Sequence, residues 1–436
     1  MQTKQCKSCQ THFTVRPEDE SFYKKIALRT TTKNFEVPAP TFCPRCRERR
    51  RLTYRNERNL YRIKSSLSAR EMISIYRPDS PYTIYTKDEW WGDNWDPTDY
   101  SQEPDFEKPF FDQFQELILK VPRPPLINNK ATNSDYCNFA DGNKNSYMIT
   151  SANRNEDSFY SWLMVDNKDV MDCLWITNSE LCYEGTDCRN CYNTSYAQNC
   201  KNCTDCDFLF SCQGLNKCIL CINLKNKEYH ILNKPVPKEE FEKAKSELKN
   251  NPQAIKEYLA KFKHLKEEID PIRRSSTLIS CENCVGDNIF NSKNVHHGFD
   301  IYDSEDCAYL HDGLDAKDCH DVCFSDGIEL CYESTSLIGY GYRFTNFCRD
   351  SYDLFYCDNC HGCKNCFGCS GLRQKQYCIF NKQYEREEYE QQVARLVAHM
   401  RETREWGEFF PEKHSIFPYK DTLAEDYFPM LESAPN

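Results

Sequence analysis

Four cysteines near the start of the chain are the residues best spaced for chemistry. Cys6-x-x-Cys9 and Cys43-x-x-Cys46 form two pairs separated by 33 residues. Two such knuckles can set four thiolates at the corners of a tetrahedron, the geometry zinc takes. A site closed by four protein ligands leaves no position for a water, so its expected role is structural. The surrounding segment has few apolar residues of its own, and zinc binding supplies on the order of 10 kcal/mol towards folding such a piece. His12 is a nearby alternative ligand and reads as a surface histidine.

A second constellation follows at once, in RERRRLTYRNERNLYRIK. Wound as a helix, Arg47, Arg51, Arg55, Arg58 and Arg62 fall within about 80° of one another. Tyr54 and Tyr61 flank that stripe, and Leu52, Leu60 and Ile63 take the opposite face. Arginines on one face pair phosphates, and tyrosines stack on bases. The stripe is therefore expected to bind RNA or DNA; the competing expectation is that these arginines pair with acidic groups of the same chain or of a protein partner. Charge asymmetry fits either reading. Residues 1–70 hold 17 Lys and Arg against 6 Asp and Glu, so of the net −11 the remainder carries −22.

A third cluster gathers His296, His297, Asp300, Asp303, His311, Asp312 and His320. Such groups could serve a β-helix enzyme acting on a glycan, or simply occupy surface positions. No nucleophile elbow, phosphate loop, dinucleotide fingerprint or HExxH motif accompanies them.

These groups must be positioned by a duplicated body. Residues 199–234 recur as 347–382: at a shift of 148, Cys200, Cys212, Cys218 and Cys221 fall on Cys348, Cys360, Cys366 and Cys369. Upstream, ELCYE at 180–184 recurs at 329–333. No proline lies between Ile127 and Lys234 or between Ile272 and Phe410, which suits strands that hydrogen-bond to one another throughout. Short β-prone runs alternate with Asn, Asp and Gly, which tolerate tight left-handed corners. Each half is read as a parallel β-solenoid of about four to five coils, from motifs recurring at intervals of about 20 residues.

The copies also test the cysteines. Cys203 faces Ser351, Cys206 faces Leu354, Cys363 faces Leu215, Cys378 faces His230 and Cys307 faces Ser158. A metal ligand is not exchangeable with leucine, whereas a small packed side chain is. The 24 cysteines from Cys137 to Cys378 are thus read mostly as buried ladders. The i, i+3 run Cys357, Cys360, Cys363, Cys366 and Cys369 leaves a multi-metal or iron–sulfur protein as an alternative.

The expected fold class is mainly β: an N-terminal zinc ribbon or treble-clef-like module, a duplicated parallel β-solenoid with cysteine ladders, and capping α-helices. The expected segments are 1–64 with zinc and the basic helix, 65–126 rich in aromatics, solenoid half 127–234, helical insert 235–274, second half 275–383, and a capping helix with tail, 384–436. Within 65–126, a helix from Pro109 to Leu119 should bury Phe110, Phe114 and Leu117. Trp90, Trp91 and Trp95 beside Asp93 and Asp96 read as packing rather than a sugar platform. No apolar run approaches the roughly 18 residues of a membrane span, and no signal-peptide core opens the chain. The expectation is a cytoplasmic, non-enzymatic protein with one structural Zn2+ and no membrane partner, binding nucleic acid, RNA in preference to DNA, through the helix or protein through the solenoid.

The CxxC and CPxCR pairs, RNExxLY, PYxxY, WWxDxWDPxxY, FFxQFxEL, the cysteine repeats and YxDTLAxxYFP together resemble a group of uncharacterised cysteine-rich zinc proteins of candidate-phyla bacteria. The resemblance covers nearly the whole chain. Some members carry a CaiB/BaiF label, but nothing in this sequence looks like a CoA-transferase and the label is rejected. In that group a second CxxC…CxxC stands where this chain has Ser65-x-x-Ser68 and Thr86-x-x-Glu89. The resemblance implies a lost second zinc site, with the 65–100 module folding on its tyrosines and tryptophans.

Overall fold

A three-residue rhythm organises most of the chain. In the computed structural model, which describes residues 1–269 and 276–430 and omits the side chains of 312, 323–328 and 336–338, every third residue from Asn145 to Leu232 has φ near roughly +50°. Many of these corners are Asn or Asp, which accept the left-handed region at low cost. The residue after each corner points inward. Ile149, Ala152, Met164, Val170, Cys188, Cys200, Cys203 and Leu209 are all buried in this way.

Four triplets close one rung, because pairing is parallel at a spacing of 12. Cys188 registers with Cys200, Thr194 with Cys206 and Leu209 with Cys221. The fold is mainly β, with a 13-stranded and a 9-stranded sheet paired in parallel apart from their closing strands. The interval of about 20 residues expected from sequence is therefore corrected to 12. That expectation followed the conspicuous cysteine motifs; the corner residues carry the true period.

The second copy contains two short rungs. Val285 pairs with His296 and Ile338 with Arg349, each 11 residues on, before the spacing of 12 resumes. Glycine sits at both slips. A Cβ on Gly286 would lie 1.8 Å from the Gly298 carbonyl oxygen, and one on Gly339 would lie 2.7 Å from that of Ser351. The slip at Gly339 also explains why ELCYE recurs at a shift of 149 whereas the later cysteines recur at 148.

Cysteines fill the interior as small apolar side chains with a weak donor. Cys212 Sγ donates to Phe210 O at 3.3 Å and to Cys221 O at 3.4 Å. Cys357 Sγ does the same to Phe355 O and Cys366 O. Burial pushes the Cys173 and Cys182 thiols up to about 12. The run from Cys357 to Cys369 occupies successive inward positions, each less than 1 % exposed.

The chain divides into two compact units, 126–274 and 1–125 with 275–436. In the first, α-helices Lys238–Leu248 and Pro252–Glu268 pack Phe241, Leu248, Tyr258 and Phe262 against Phe208, Ile219 and Leu220 of the late rungs. Leu259 is exposed. In the other unit, helix Arg386–Glu402 buries Tyr389, Val393, Leu396 and Met400. Among the described residues no helix is long and apolar enough to cross a membrane.

Two small modules precede the second copy within their unit. The first has a hairpin of β1 (Gln2–Gln5) and β2 (His12–Val15), then α1 (Pro17–Lys25) and α2 (Pro44–Leu52). The next has hairpin β3 (Tyr61–Lys64) and β4 (Glu71–Ser74), then α3 (Lys87–Trp91) and α4 (Phe110–Lys120). Helix α4 buries Phe110, Phe114 and Leu117 as expected. Trp90 and Trp95 are buried, donating to Pro122 O and Trp90 O, while Trp91 is exposed.

Candidate metal centre

The turn between β1 and β2 carries Cys6 and Cys9, and α2 opens on Cys43 and Cys46. Cys43 is the residue before the first helical position and Pro44 fixes that first position. The four sulfurs lie within 4.8 Å of one another. Cys9 Sγ is 3.6 Å from Cys43 Sγ; a tetrahedron of zinc–sulfur bonds sets its sulfurs about 3.8 Å apart. Cys43 N donates to Cys6 Sγ at 3.2 Å. Hydrogen bonds from Thr11 bring the Cys9 thiol down to about 6, and burial lifts Cys46 to about 12. Cys6, Cys43 and Cys46 are buried, and exposed His12 stands outside the group. The four cysteines named from sequence can therefore hold one metal ion. Among the described residues no other such group of ligands forms.

No family model, curated protein or solved structure matches this chain.

The arginine stripe is corrected. Helix α2 ends at Leu52 instead of continuing to Lys64, and Tyr61–Lys64 is a strand. Asn56 explains the stop: its Nδ2 donates to Asn59 O and Ile75 O, and its Oδ1 accepts from Asn59 N. Such a side chain offers the backbone an alternative to the helix. Arg47, Arg51 and Arg55 are each 1 % exposed. Arg47 and Arg51 converge on Asp321 at 2.8 and 3.4 Å, and Arg55 holds Glu57. Arg50, which the stripe omitted, grips Glu333 with Nη2 at 2.6 and 2.9 Å. Tyr54 is buried and donates to Pro411 O at 2.8 Å. Arg58 pairs with Asp426, Arg62 lies exposed on β3, and half-buried Tyr61 packs 5.9 Å from the Arg77 guanidinium. Hence the competing expectation, pairing within the chain, describes the core of this stripe.

The histidine cluster divides. His296, His297 and His311 line one cavity. His311 Nδ1 is 2.9 Å from Glu48 Oε1, and Nε2 is 3.9 Å from Asp300. Burial opposes ionisation of Glu48, but the His311 bond outweighs it and holds the carboxyl below its usual value. Burial pushes Asp300 up and brings His296 down to about 4. His320 is buried elsewhere, stacked on Phe22 at 3.8 Å, and Asp303 takes a hydrogen bond from Asn291. Asp312 lies outside the described side chains. Glu48 and Arg45 join the cavity from α2 without any signal in the sequence, because their neighbours lie some 250 residues away, as with Glu48 and His311 at a separation of 263.

Proposed function

We propose that the protein is a non-catalytic scaffold: a zinc-bearing, treble-clef-like module fixed to one half of a duplicated β-solenoid, whose other half docks a protein partner. The observation that carries this reading is a column occupied differently in the two copies. In the first, Tyr147, Phe159 and Met171 stack on successive rungs, 41, 37 and 41 % exposed. Tyr136, Met148 and Tyr160 lie exposed beside them, with ring centroids 5.5 Å apart for Tyr136–Tyr147 and 5.7 Å for Tyr147–Tyr160. Contiguous exposed apolar surface of this kind marks an interaction site.

The matching column of the second copy is His296, Ala308 and His320. There α1 supplies cover: Phe22 stacks on His320, and Asp19 accepts from Tyr309 at 3.2 Å. Where a cover is present it is a protein helix, which supports a protein as occupant of the exposed column. The buried pairs of Arg47, Arg50 and Arg51 with Asp321 and Glu333 support a structural rather than a phosphate-binding task for α2. A photo-crosslinking phenylalanine at Phe159, in native cells, should yield a discrete protein adduct that disappears when Tyr147 and Met171 become Asp. No adduct, or adducts to nucleic acid alone, would overturn the reading. Elemental analysis should give about one zinc per chain, the capacity of one four-thiolate site.

A further inference from the structure

A cavity of about 680 Å3 opens where the β1–β2 hairpin, the first turn of α2 and early rungs of the second copy meet. That volume is typical of small-molecule sites. Phe13, Phe299 and Tyr309 form apolar walls. The His297 ring lies nearly parallel to Tyr309, 5.9 Å between centroids.

The charges around it are not balanced. Glu48 is taken up by His311 at 2.9 Å, and Arg16 by Asp19 at 2.7 Å. Arg45 makes no ion pair within 4.0 Å among the described residues; its guanidinium rests over the Phe428 ring at 5.5 Å. Of the two arginines that line this ligand-sized space, Arg45 is thus the one without an ion pair among the described residues, and it is exposed.

The duplication supplies an internal control. At a shift of 149, His296, His297 and His311 replace Tyr147, Met148 and Trp162. The ladder folds with apolar residues at these positions, so its architecture does not require imidazoles there. They occur in the copy that carries the cavity.

We propose that this cavity binds a small organic anion, with a flat apolar body against Tyr309 and Phe299 and one carboxylate or phosphomonoester group on Arg45 and His297. Titration calorimetry on the full, zinc-loaded chain tests it with phenyl phosphate and benzoate as probes, and with inorganic phosphate and phenol as controls. One aromatic anion should bind saturably at one per chain, at least about tenfold tighter than either control. The better probe identifies the anionic group. Arg45→Gln should weaken it by about tenfold or more, the worth of a charged hydrogen bond, with zinc content unchanged. Phe299→Asp, at an exposed residue of the second copy, is the second variant and should abolish binding even if Arg45→Gln disturbs the metal. Failure of both anions to saturate by about 10 mM, equal binding of phenol, or full binding by Phe299→Asp would each overturn the proposal.

Discussion

The two small modules of the N-terminal region share one backbone plan and differ in what ties it together. In the first, Cys6 N donates to Thr11 O at 2.9 Å, Gln10 N to Cys6 O at 3.0 Å, and Lys7 N to Thr41 O at 3.1 Å. In the second, Ser65 N donates to Arg70 O at 2.9 Å, Ala69 N to Ser65 O at 3.0 Å, and Ser66 N to Ile84 O at 2.8 Å. Gln10 and Ala69 take the same left-handed corner, at φ 62° and 60°. Cys43 and Cys46 stand at the cap and third positions of α2, as Thr86 and Glu89 do in α3. Four thiols converge in one; in the other, Ser65 Oγ and Thr86 N donate to Glu89 Oε2 at 2.5 and 2.9 Å, and Thr86 Oγ1 accepts from Glu89 N. A hydrogen-bonded carboxylate thus sits where the first module gathers its sulfurs. The lesson is that a knuckle-and-helix frame persists without the four thiols when a capping box and a buried aromatic core, here Tyr76, Tyr82, Tyr85, Trp90 and Trp95, stand in their place.

Attachment differs as well. The first module drives its own arginines into acids of the second copy. The second receives an arginine from it: Arg373 donates to the carbonyls of Trp90, Gly92 and Trp95 and lies 4.9 Å over the Trp95 ring.

Cys43→Ser with Cys46→Ser should release the metal and cost on the order of 10 kcal/mol locally, seen as rapid proteolysis before residue 60 with the 65–126 module still protected. Loss of both together would mean one cooperative block. Changing Ser65, Ser68, Thr86 and Glu89 together to Cys should raise metal content from about one to about two per chain, since the backbone plan already places the four positions. An unchanged stoichiometry would show that the likeness stops at the main chain.

Arg50→Ala leaves Glu333 buried without its partner and should lower stability in urea by about 3–5 kcal/mol. Glu89→Gln should cost about 1–3 kcal/mol at neutral pH. Burial alone would raise the Glu89 carboxyl, but hydrogen bonds from Ser65, Ser68 and Thr86 outweigh it and hold it at about 2, against 4.5 ordinarily. A depressed folded-state value contributes stability above pH 4.5 and loses it as pH falls towards 2. The gap between wild type and Glu89→Gln should therefore narrow across that window; a constant gap would assign the loss to packing.

Much of this was legible in residue types and little in residue distances. The thiol quartet follows from two spacings, and the duplication from a repeated string. The exchange of Cys206 for Leu354 between copies already marked the interior cysteines as filling, and both side chains are buried. The 12-residue rung was obscured because its markers are corners, held by residues as unlike as Asn202, Phe208 and Lys217. Tertiary packing lets such residues take a conformation their propensity disfavours. The arginine stripe misled because periodicity reports a face without naming what meets it: Asp321 and Glu333 lie 270 or more residues away, as with Arg47 and Asp321 at a separation of 274. Asn56 ended the helix through a side-chain bond that counting every 3.6 residues does not register.

The sealed sulfur interior has a practical corollary. Of the described thiols, Cys9 alone is exposed and Cys281 and Cys284 are half-covered, while the others are shut away. Among the described thiols an alkylating reagent meets only these few, and each rung that breathes open uncovers a fresh, mass-resolvable target. The molecule therefore carries its own rung-by-rung fraying gauge, readable by peptide mapping without any added label.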